Sequence, residues 1–377
     1  MSGWATWSRA EAPWTVGVEE EVMLLDPLTW MLASRSEEVL EALDPGIAAH
    51  TAAETHGSVV ELATSPHATV AEAAAELARL RGVLAEQIEP MGLAAAVAGT
   101  HPLASWEDTE VSPGARYQFL YASLRELARR EPTFALHVHV AVPDECAAVR
   151  ALDGVREELP TLLALSANSP FWQGRDTGLA SARIPVFQAF PRTGTPRAFG
   201  TYEAYVEAVD VLIRCDAIPE PTFLWWDARL QPRLGTIEIR IMDAQTRVRD
   251  TAALVALVQC LVRREALSER REPLAPEVIE ENRFLATRDG MDATFVDPVA
   301  GRRVPVKDQL RETLRTCRPH AETLGCWREL ASVSDLAVSP GALRQRAVAA
   351  RADGLRGVLR AMHGEFVSWL AEPAALV

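Results

Sequence analysis

The chain has 377 residues, of which 48% are hydrophobic and 24% are charged, as in a soluble globular protein long enough to bury a large core. Its formal net charge of −14 argues against a nucleic acid or an anionic membrane as a partner. No apolar run approaches the roughly 18 residues of a membrane span, and the first residues lack the pattern of a secretory signal. Five widely spread cysteines without a Cys-x-x-Cys pair favour reduced thiols in a cytoplasm over disulfides or a zinc site.

Lysine is nearly absent, which limits the ways in which the chain could bind phosphate groups. The only lysine is Lys307, in "RRVPVKDQL", and no glycine-rich turn precedes it. Phosphate-binding loops of the Gly-x-x-x-x-Gly-Lys-Ser/Thr type need such a lysine. If the protein handles a nucleotide, arginines and metal ions must hold the phosphates.

The predicted elements begin with a strand-like run, "TVGVEEEVMLLDP" (15–27), that carries three consecutive glutamates. A second strand-like run is "GSVVELATSP" (57–66), and a capping-box spacing of Thr69 and Glu72 then starts an amphipathic helix. Periodicity and turn residues predict the rest: a helix over 69–92, a strand ending at Gly99, a helix over 115–130, the strand "FALHVHVAVP" (134–143), helices over 144–158 and 160–167, a loop-rich stretch over 169–200, a helix over 201–214 and two strands around a turn in "PTFLWWDARLQPRLGTIEIRIMD" (221–243).

From residue 251 to the end the pattern is mostly helical. Strands in the first two-thirds and helices in the last third predict an α+β architecture. We expect a single catalytic domain over residues 1–377, with a sheet-forming core over about 14–250 and a mostly helical part over about 251–377.

Several of these strands have a polar face. Side chains alternate between two faces along a strand, so parity shows which residues share a surface. The residues in question are Glu19 with Glu21, His137 with His139, Glu238 with Arg240, and Glu61 as the single acid of its strand. In one sheet, these side chains would gather on the face that is not packed by helices.

Glu20 is different, because its parity places it with Val16, Val18 and Val22. A buried carboxylate without a partner is strongly disfavoured. Glu20 therefore needs a basic partner or a position at a sheet edge.

The gathered carboxylates indicate a metal site. Four carboxylates on one small surface repel each other unless cations bind between them. Oxygen-rich clusters with an occasional imidazole suit Mg²⁺ or Mn²⁺ better than zinc. We therefore predict that one sheet face is a metal-binding wall.

Each strand taken alone has an ordinary explanation. A single glutamate on a strand is usually solvated, a His-x-His strand is often an exposed polar face, and a Glu-x-Arg pair is often a cross-strand salt bridge. Four polar-faced strands in one chain favour the metal site over these explanations. His-x-His is also typical of amidohydrolase barrels, but those need histidines on later strands, and only His320 and His363 follow, in helix or loop contexts.

Together the motifs resemble those of the glutamate–cysteine ligase type 2 family, the bacterial carboxylate–amine ligases of the glutamine synthetase-like superfamily. The resemblance covers roughly residues 14–292 and rests on "VGVEEEVMLLDP", "VVELATSP", "GTHPLASWED", "HVHVAVPD", "LLALSANSPFWQGRDTGLASARIPVF", "LWWDARLQPRLGTIEIRIMDAQTRV" and "ENRFLATRDGMDA". It implies a glutamine synthetase-like curved antiparallel sheet, with one open active-site face and helices on the other. That superfamily has no phosphate-binding lysine loop, which agrees with the missing lysines.

The resemblance also implies an ATP-dependent ligation. The acid carboxylate takes the γ-phosphate of ATP to give an acyl phosphate, and an amine then forms the amide. Glutamate and cysteine would be the substrates, as in glutathione-type biosynthesis, and the enzyme would be a cytoplasmic homodimer.

Site residues follow by similarity. Two or three Mg²⁺ ions, or Mn²⁺ in their place, would be held by Glu19, Glu21, Glu61, His137 and Glu238. Arg240 would hold the γ-phosphate and act in catalysis, because a planar fork donor suits that work. Arg183 would pair with a substrate carboxylate and Arg175 is a second candidate, although a surface or salt-bridge role is an alternative for either arginine.

The chain departs from the family pattern in places, including Ala135 and Leu136 before the His-x-His motif and Asp289 in "ATRDGMDA". These departures leave the acid and the amine open. Two other functions also stay open: an Mg²⁺-dependent kinase or hydrolase on the same sheet, and a catalytically silent binding protein that keeps the fold.

Overall fold

The computed structural model describes residues 3–9, 12–130, 132–269, 272–351 and 353–368. Its strands are β1 (Val16–Leu25), β2 (Thr51–Ala53), β3 (Val59–Ala63), β4 (Ala94–Ala96), β5 (Ala135–Ala141), β6 (Phe171–Trp172), β7 (Arg175–Asp176), β8 (Thr193–Gly194), β9 (Trp225–Trp226), β10 (Ala228–Gln231), β11 (Thr236–Asp243), β12 (Thr294–Asp297) and β13 (Arg302–Pro305).

The helices are α1 (Ser36–Ala42), α2 (Pro45–Ala48), α3 (Val70–Ile88), α4 (Ala115–Leu124), α5 (Glu145–Val155), α6 (Leu159–Ser166), α7 (Arg183–Phe187), α8 (Tyr202–Arg214), α9 (Val248–Leu267), α10 (Pro276–Asp289), α11 (Val306–Leu324), α12 (Trp327–Ala331), α13 (Val333–Val338), α14 (Gly341–Ala349) and α15 (Gly354–Val367). Among the described residues, no helix has the length and apolar character needed to cross a membrane.

The central feature is an antiparallel sheet of seven strands. Its order is β10-β11-β5-β1-β3-β2, and β4 pairs with the end of β1. The register places Glu19 opposite His137, Glu21 opposite Glu61, and Glu238 opposite His139. Because residues opposite each other share a face, the predicted polar residues lie on one side of this sheet.

The other face of the sheet packs against helices α3, α5 and α9. Strand β1 contributes Val16, Val18 and Val22 to this core, all at most 2% exposed. Glu20 lies among them and is fully buried, and Arg81 of α3 donates from Nε to its Oε1 at 2.7 Å. The expected basic partner of Glu20 is therefore present.

Strand β11 contains a β-bulge. Ile239 pairs with Val138 and Met242 pairs with Leu136, so that Arg240 and Ile241 together lie opposite His137. After the bulge the parity changes, and Asp243 pairs with Ala135.

The capping box predicted at Thr69 is confirmed, since Thr69 and Glu72 exchange both hydrogen bonds at the start of α3. From residue 251 onward the described chain is mostly helical, and β12 and β13 form an antiparallel hairpin within this part. Residues 298–301, "PVAG", supply its turn. The predicted helical end of the chain, residues 369–377, lies outside the described residues.

Candidate active site

The open face of the sheet brings five predicted residues together. Within one group, ligand atoms of Glu19, His137 and Glu238 all lie within 4.8 Å of one another. A second group within the same limit contains Glu21, Glu61 and His137. His137 belongs to both groups, so the two clusters are adjacent.

Two histidines hold Glu19 in the first group. Its Oε2 lies 3.2 Å from His137 Nδ1, and its Oε1 lies 3.2 Å from His139 Nε2. Burial opposes ionisation of Glu19, but His139 and His137 lower the pKa of its carboxyl group. Burial and the neighbouring Arg240 lower the pKa of His137 to about 4, so its imidazole is neutral near pH 7.

The second group has an excess of negative charge. Burial, together with Glu54, raises the pKa of Glu21 to about 8, although Ala135 N donates to its Oε2 at 2.7 Å. Burial and the charge of Glu19 raise the pKa of Glu61 well above its ordinary value. Such crowding of carboxyl groups is stabilised when a cation binds among them.

The donor set fits a hard divalent cation. Both groups offer carboxylate oxygens and share one imidazole, a combination that suits Mg²⁺ or Mn²⁺. His137 Nε2 is buried and has no hydrogen-bond partner among the described residues, which leaves it available as a ligand.

Arg240 reaches Glu238 across the polar face. Its Nη1 contacts Glu238 Oε1 and lies 3.4 Å from His137 Nδ1. Arg229 Nε and Gln231 Nε2 also donate to Glu238 Oε2, at 2.6 and 2.7 Å. Arg240 therefore makes a salt bridge within its own strand, at the edge of both carboxylate groups, while the cross-strand salt bridge of Glu238 is with Arg229.

Two cavities flank the carboxylate groups. One, of about 50 Å³, is lined by Glu21, Glu54, His137, Arg183, Phe187 and Arg240 among others, and we call it the arginine cavity. The other, of about 350 Å³, is lined by residues that include Val16, Val18, Glu19, Ala63, His139 and Leu234, and we call it the apolar cavity. Because Glu19 contacts His137, the metal-binding candidates lie between the two.

The two candidate arginines differ in position. Arg183 is 3% exposed and lines the arginine cavity. Arg175 is exposed on the short hairpin of β6 and β7, and it lines neither flanking cavity. The structure thus brings Arg183 to the polar face and leaves Arg175 apart from it.

A third cavity, larger than the two flanking ones, has a different location. It has a volume of about 640 Å³ and lies among α9, α10, α11 and the β12–β13 hairpin. It shares no lining residue with the two flanking cavities. The candidate ligands Glu19, Glu21 and His137 line the two flanking cavities, so the candidate active site lies there.

Three acidic or basic residues near this site were not predicted from the sequence. Arg229 lies two residues after Asp227 and two before Gln231, at the end of β10, and this alternation could have identified it. Glu54 follows the short strand β2, whose pattern gives no signal. Asp243 has the wrong parity in the sequence, because the bulge that turns it is invisible there.

Trp225 and Arg283 are buried and make contacts within the protein interior. Trp225 is 9% exposed and packs against Phe190 and Phe223. Arg283 Nε donates to the buried Asp227 Oδ2 at 2.7 Å.

The family model described as glutamate-cysteine ligase family 2 matches residues 15–368. Two proteins of Rubrobacter xylanophilus, provisionally named glutamate–cysteine ligases 2-1 and 2-3, are 41% and 42% identical to this chain. The first alignment covers 89% of this chain and 90% of the relative, and the second covers 97% and 98%.

Two solved structures share the fold. The glutamate–cysteine ligase of Francisella tularensis in complex with AMP has a TM-score of 0.70 at 13% identity, covering 98% of this chain and 92% of that one. A bifunctional glutathione synthetase from Pasteurella multocida has a TM-score of 0.68 at 13% identity, covering 96% of this chain and 53% of that one. The predicted α+β fold with its antiparallel sheet is confirmed.

Proposed function

This chain belongs to glutamate–cysteine ligase family 2, and from that premise we propose that it is an ATP-dependent carboxylate–amine ligase. The reaction would join the γ-carboxylate of glutamate, or a similar acid, to the amine of cysteine or another amino compound. The observation that carries the proposal is the pair of adjacent Glu/His groups between the two cavities, with Arg240 beside both.

The carboxylate groups would hold the divalent cations. Glu19, His137 and Glu238 form one ligand set, and Glu21, Glu61 and His137 form the other. When bound, Mg²⁺ ions would neutralise and align the phosphate and carboxylate oxygens that otherwise repel each other.

The two cavities suit the two substrates of the first step, which are ATP and the acid. The apolar cavity has apolar lining from Pro66, Ala141 and Leu234 that fits a nucleoside, with Glu19 and His139 also lining it. The arginine cavity offers the guanidinium groups of Arg183 and Arg240, which fit the acid. The γ-phosphate of ATP would then lie between the nucleoside and the acid.

The chemistry takes two steps. A carboxylate oxygen of the acid attacks the γ-phosphorus of ATP, the bond to the β-phosphate oxygen breaks, and ADP leaves. The amine nitrogen attacks the acyl carbon, phosphate leaves, and the nitrogen gives up a proton to form the amide. Arg240 donates to the phosphoryl oxygens, where negative charge accumulates during the first step.

A substrate screen tests this proposal. The purified protein is incubated with Mg²⁺, ATP and L-glutamate, and ADP release is measured across a panel of amines that includes L-cysteine. We expect release that needs acid, amine and metal together. Release that is undiminished without amine would instead indicate a kinase or hydrolase, and no release with any pair would indicate a silent binding protein.

A matched variant completes the screen. Glu61→Gln removes one carboxylate from the second ligand set, whereas Glu72→Gln removes one from the exposed cap of α3. We expect ADP release to be lost in the first variant and kept in the second.

A further inference from the structure

The β-bulge of β11 brings an additional acid to the open face of the sheet. Asp243 pairs with Ala135, next to the His137 strand position that faces the site. It is completely buried. Without the extra residue, alternation would place Asp243 against the helices.

The Arg183 side chain forms hydrogen bonds with this bulge. Its Nη1 donates to Ile241 O at 3.1 Å and its Nη2 donates to Arg240 O at 3.3 Å. These are the carbonyl groups of the two bulge residues, which the irregular ladder leaves available. Asp243 Oδ1 lies 3.9 Å from Arg183 Nη1 and supplies the opposite charge.

Asp243 is itself fixed by three donors. Its Oδ2 accepts from Asn168 N at 2.8 Å and from Ser169 Oγ at 2.7 Å, and its Oδ1 accepts from Ser181 Oγ at 2.9 Å. Ser169 Oγ also accepts from the backbone nitrogen of Arg183 at 3.2 Å. Asp243 thus pairs with the Arg183 guanidinium at 3.9 Å and, through Ser169, supports the start of α7.

Close packing leaves Asp243 little freedom. A Cβ atom added at Gly99 would lie 2.6 Å from Asp243 Cγ, so only glycine fits there. The ring of Phe187 lies 5.6 Å from Arg183 Cζ and covers the guanidinium. Among the described residues, none accepts a hydrogen bond from the buried Arg183 Nε.

We propose that Asp243, turned to the open face by the bulge, is a positioning residue that holds Arg183 at the wall of the arginine cavity and leaves its Nε–H for the carboxylate of the acid substrate. This inference rests on the proposed function for the identity of that substrate. Asp243 acts only through Arg183 and does not touch the acid.

Binding of L-glutamate provides the test. Isothermal titration with Mg²⁺ and a non-hydrolysable ATP analogue is carried out on the wild type, Asp243→Asn, Arg183→Lys and the double variant. We expect Asp243→Asn to weaken L-glutamate binding by about tenfold or more, since a charge-assisted contact is disturbed, while binding of the ATP analogue is kept. The double variant should bind L-glutamate no more weakly than Arg183→Lys alone.

Two further variants make the result decisive. Asp250→Asn breaks another pair between a buried aspartate and an arginine, Arg344, in the helical layer, and should leave L-glutamate binding unchanged. Ser181→Ala removes one donor to Asp243 but keeps the charge, so it should weaken binding less, and it gives an answer if Asp243→Asn does not fold.

The inference is overturned if Asp243→Asn binds L-glutamate like the wild type, or Ser181→Ala does so where Asp243→Asn is unfolded. It is also overturned if the losses of Asp243→Asn and Arg183→Lys add fully, or if the wild type does not bind L-glutamate. ADP release by the wild type is measured separately. Its absence, with Asp243-dependent L-glutamate binding intact, would refute the ligase proposal and leave the positioning role in place.

Discussion

Neighbouring glutamates of β1 have opposite environments. Glu20 faces the helices and forms a buried ion pair with Arg81, whereas Glu19 and Glu21 face the open side and join the candidate metal ligands. Alternation along a strand separates the two environments over a single residue. One short segment therefore contributes to both stability and chemistry.

Substitution of these two kinds of carboxylate should change the free energy of unfolding differently. Glu20→Gln leaves the Arg81 guanidinium buried without its counter-charge and should lower the free energy of unfolding by about 3–5 kcal/mol. Glu61→Gln removes a repelling charge and should leave that free energy equal or higher when divalent cations are chelated. Denaturant unfolding in EDTA measures both, and equal losses in the two variants would contradict this assignment.

Substitution of Arg240 tests whether this residue forms only a structural salt bridge or also contacts the phosphoryl group. Arg240→Lys keeps the charge beside Glu238 but loses the planar fork. If Arg240 stabilises the phosphoryl group during transfer, kcat should fall by about 10²–10³ while Tm scarcely moves.

The control is Arg346→Lys, which changes another arginine paired with a carboxylate, Asp176, away from the polar face. It should leave kcat unchanged. Near-normal turnover of Arg240→Lys with its proper substrates would show that Arg240 has only a structural role.

At the scale of elements, the loop after β4 is fixed by a buried histidine. His101 Nε2 lies 2.9 Å from Trp30 O, while its Nδ1 accepts from Leu103 N at 3.1 Å and Ala104 N at 2.8 Å. Neutral imidazole satisfies all three contacts. Protonation would remove the acceptor, and burial lowers the pKa of His101 to about 4.

This histidine should make stability depend on pH. The unfolded chain, with a histidine pKa near 6.5, binds a proton in a range where the folded chain does not, so stability falls as pH drops from about 6.5 to about 4. Replacing His101 by Asn keeps an acceptor for the loop amides and removes the titration. The pH-dependent loss should shrink by up to about 3 kcal/mol, and unfolding curves of equal pH dependence would contradict this.

Elements with simple alternation could be predicted from sequence. The polar parity of β1 and β5 identified Glu19, Glu21 and His137, which do meet on one face. Two features could not be predicted. The bulge at Arg240 and Ile241 changes the parity of Asp243 without any glycine or proline to mark it, and the β12–β13 hairpin is too short to stand out from flanking helices.

At the scale of the whole molecule, a homodimer stays a prediction that rests mainly on the family. We expect sedimentation to give a species of about twice the 41.2 kDa chain mass. A single 41.2 kDa species over a wide concentration range would refute it.

The proposed function requires that the sheet face and its two cavities support amide formation through an acyl phosphate. It is tested most directly by following oxygen from acid to phosphate. The acid that supports ADP release, L-glutamate in the first instance, is labelled with ¹⁸O in its γ-carboxylate, and the released phosphate is analysed by mass spectrometry. If the amide forms through an acyl phosphate, we expect one labelled oxygen in the phosphate for each amide formed. Unlabelled phosphate, with its new oxygen drawn from water, would show that no acyl phosphate forms.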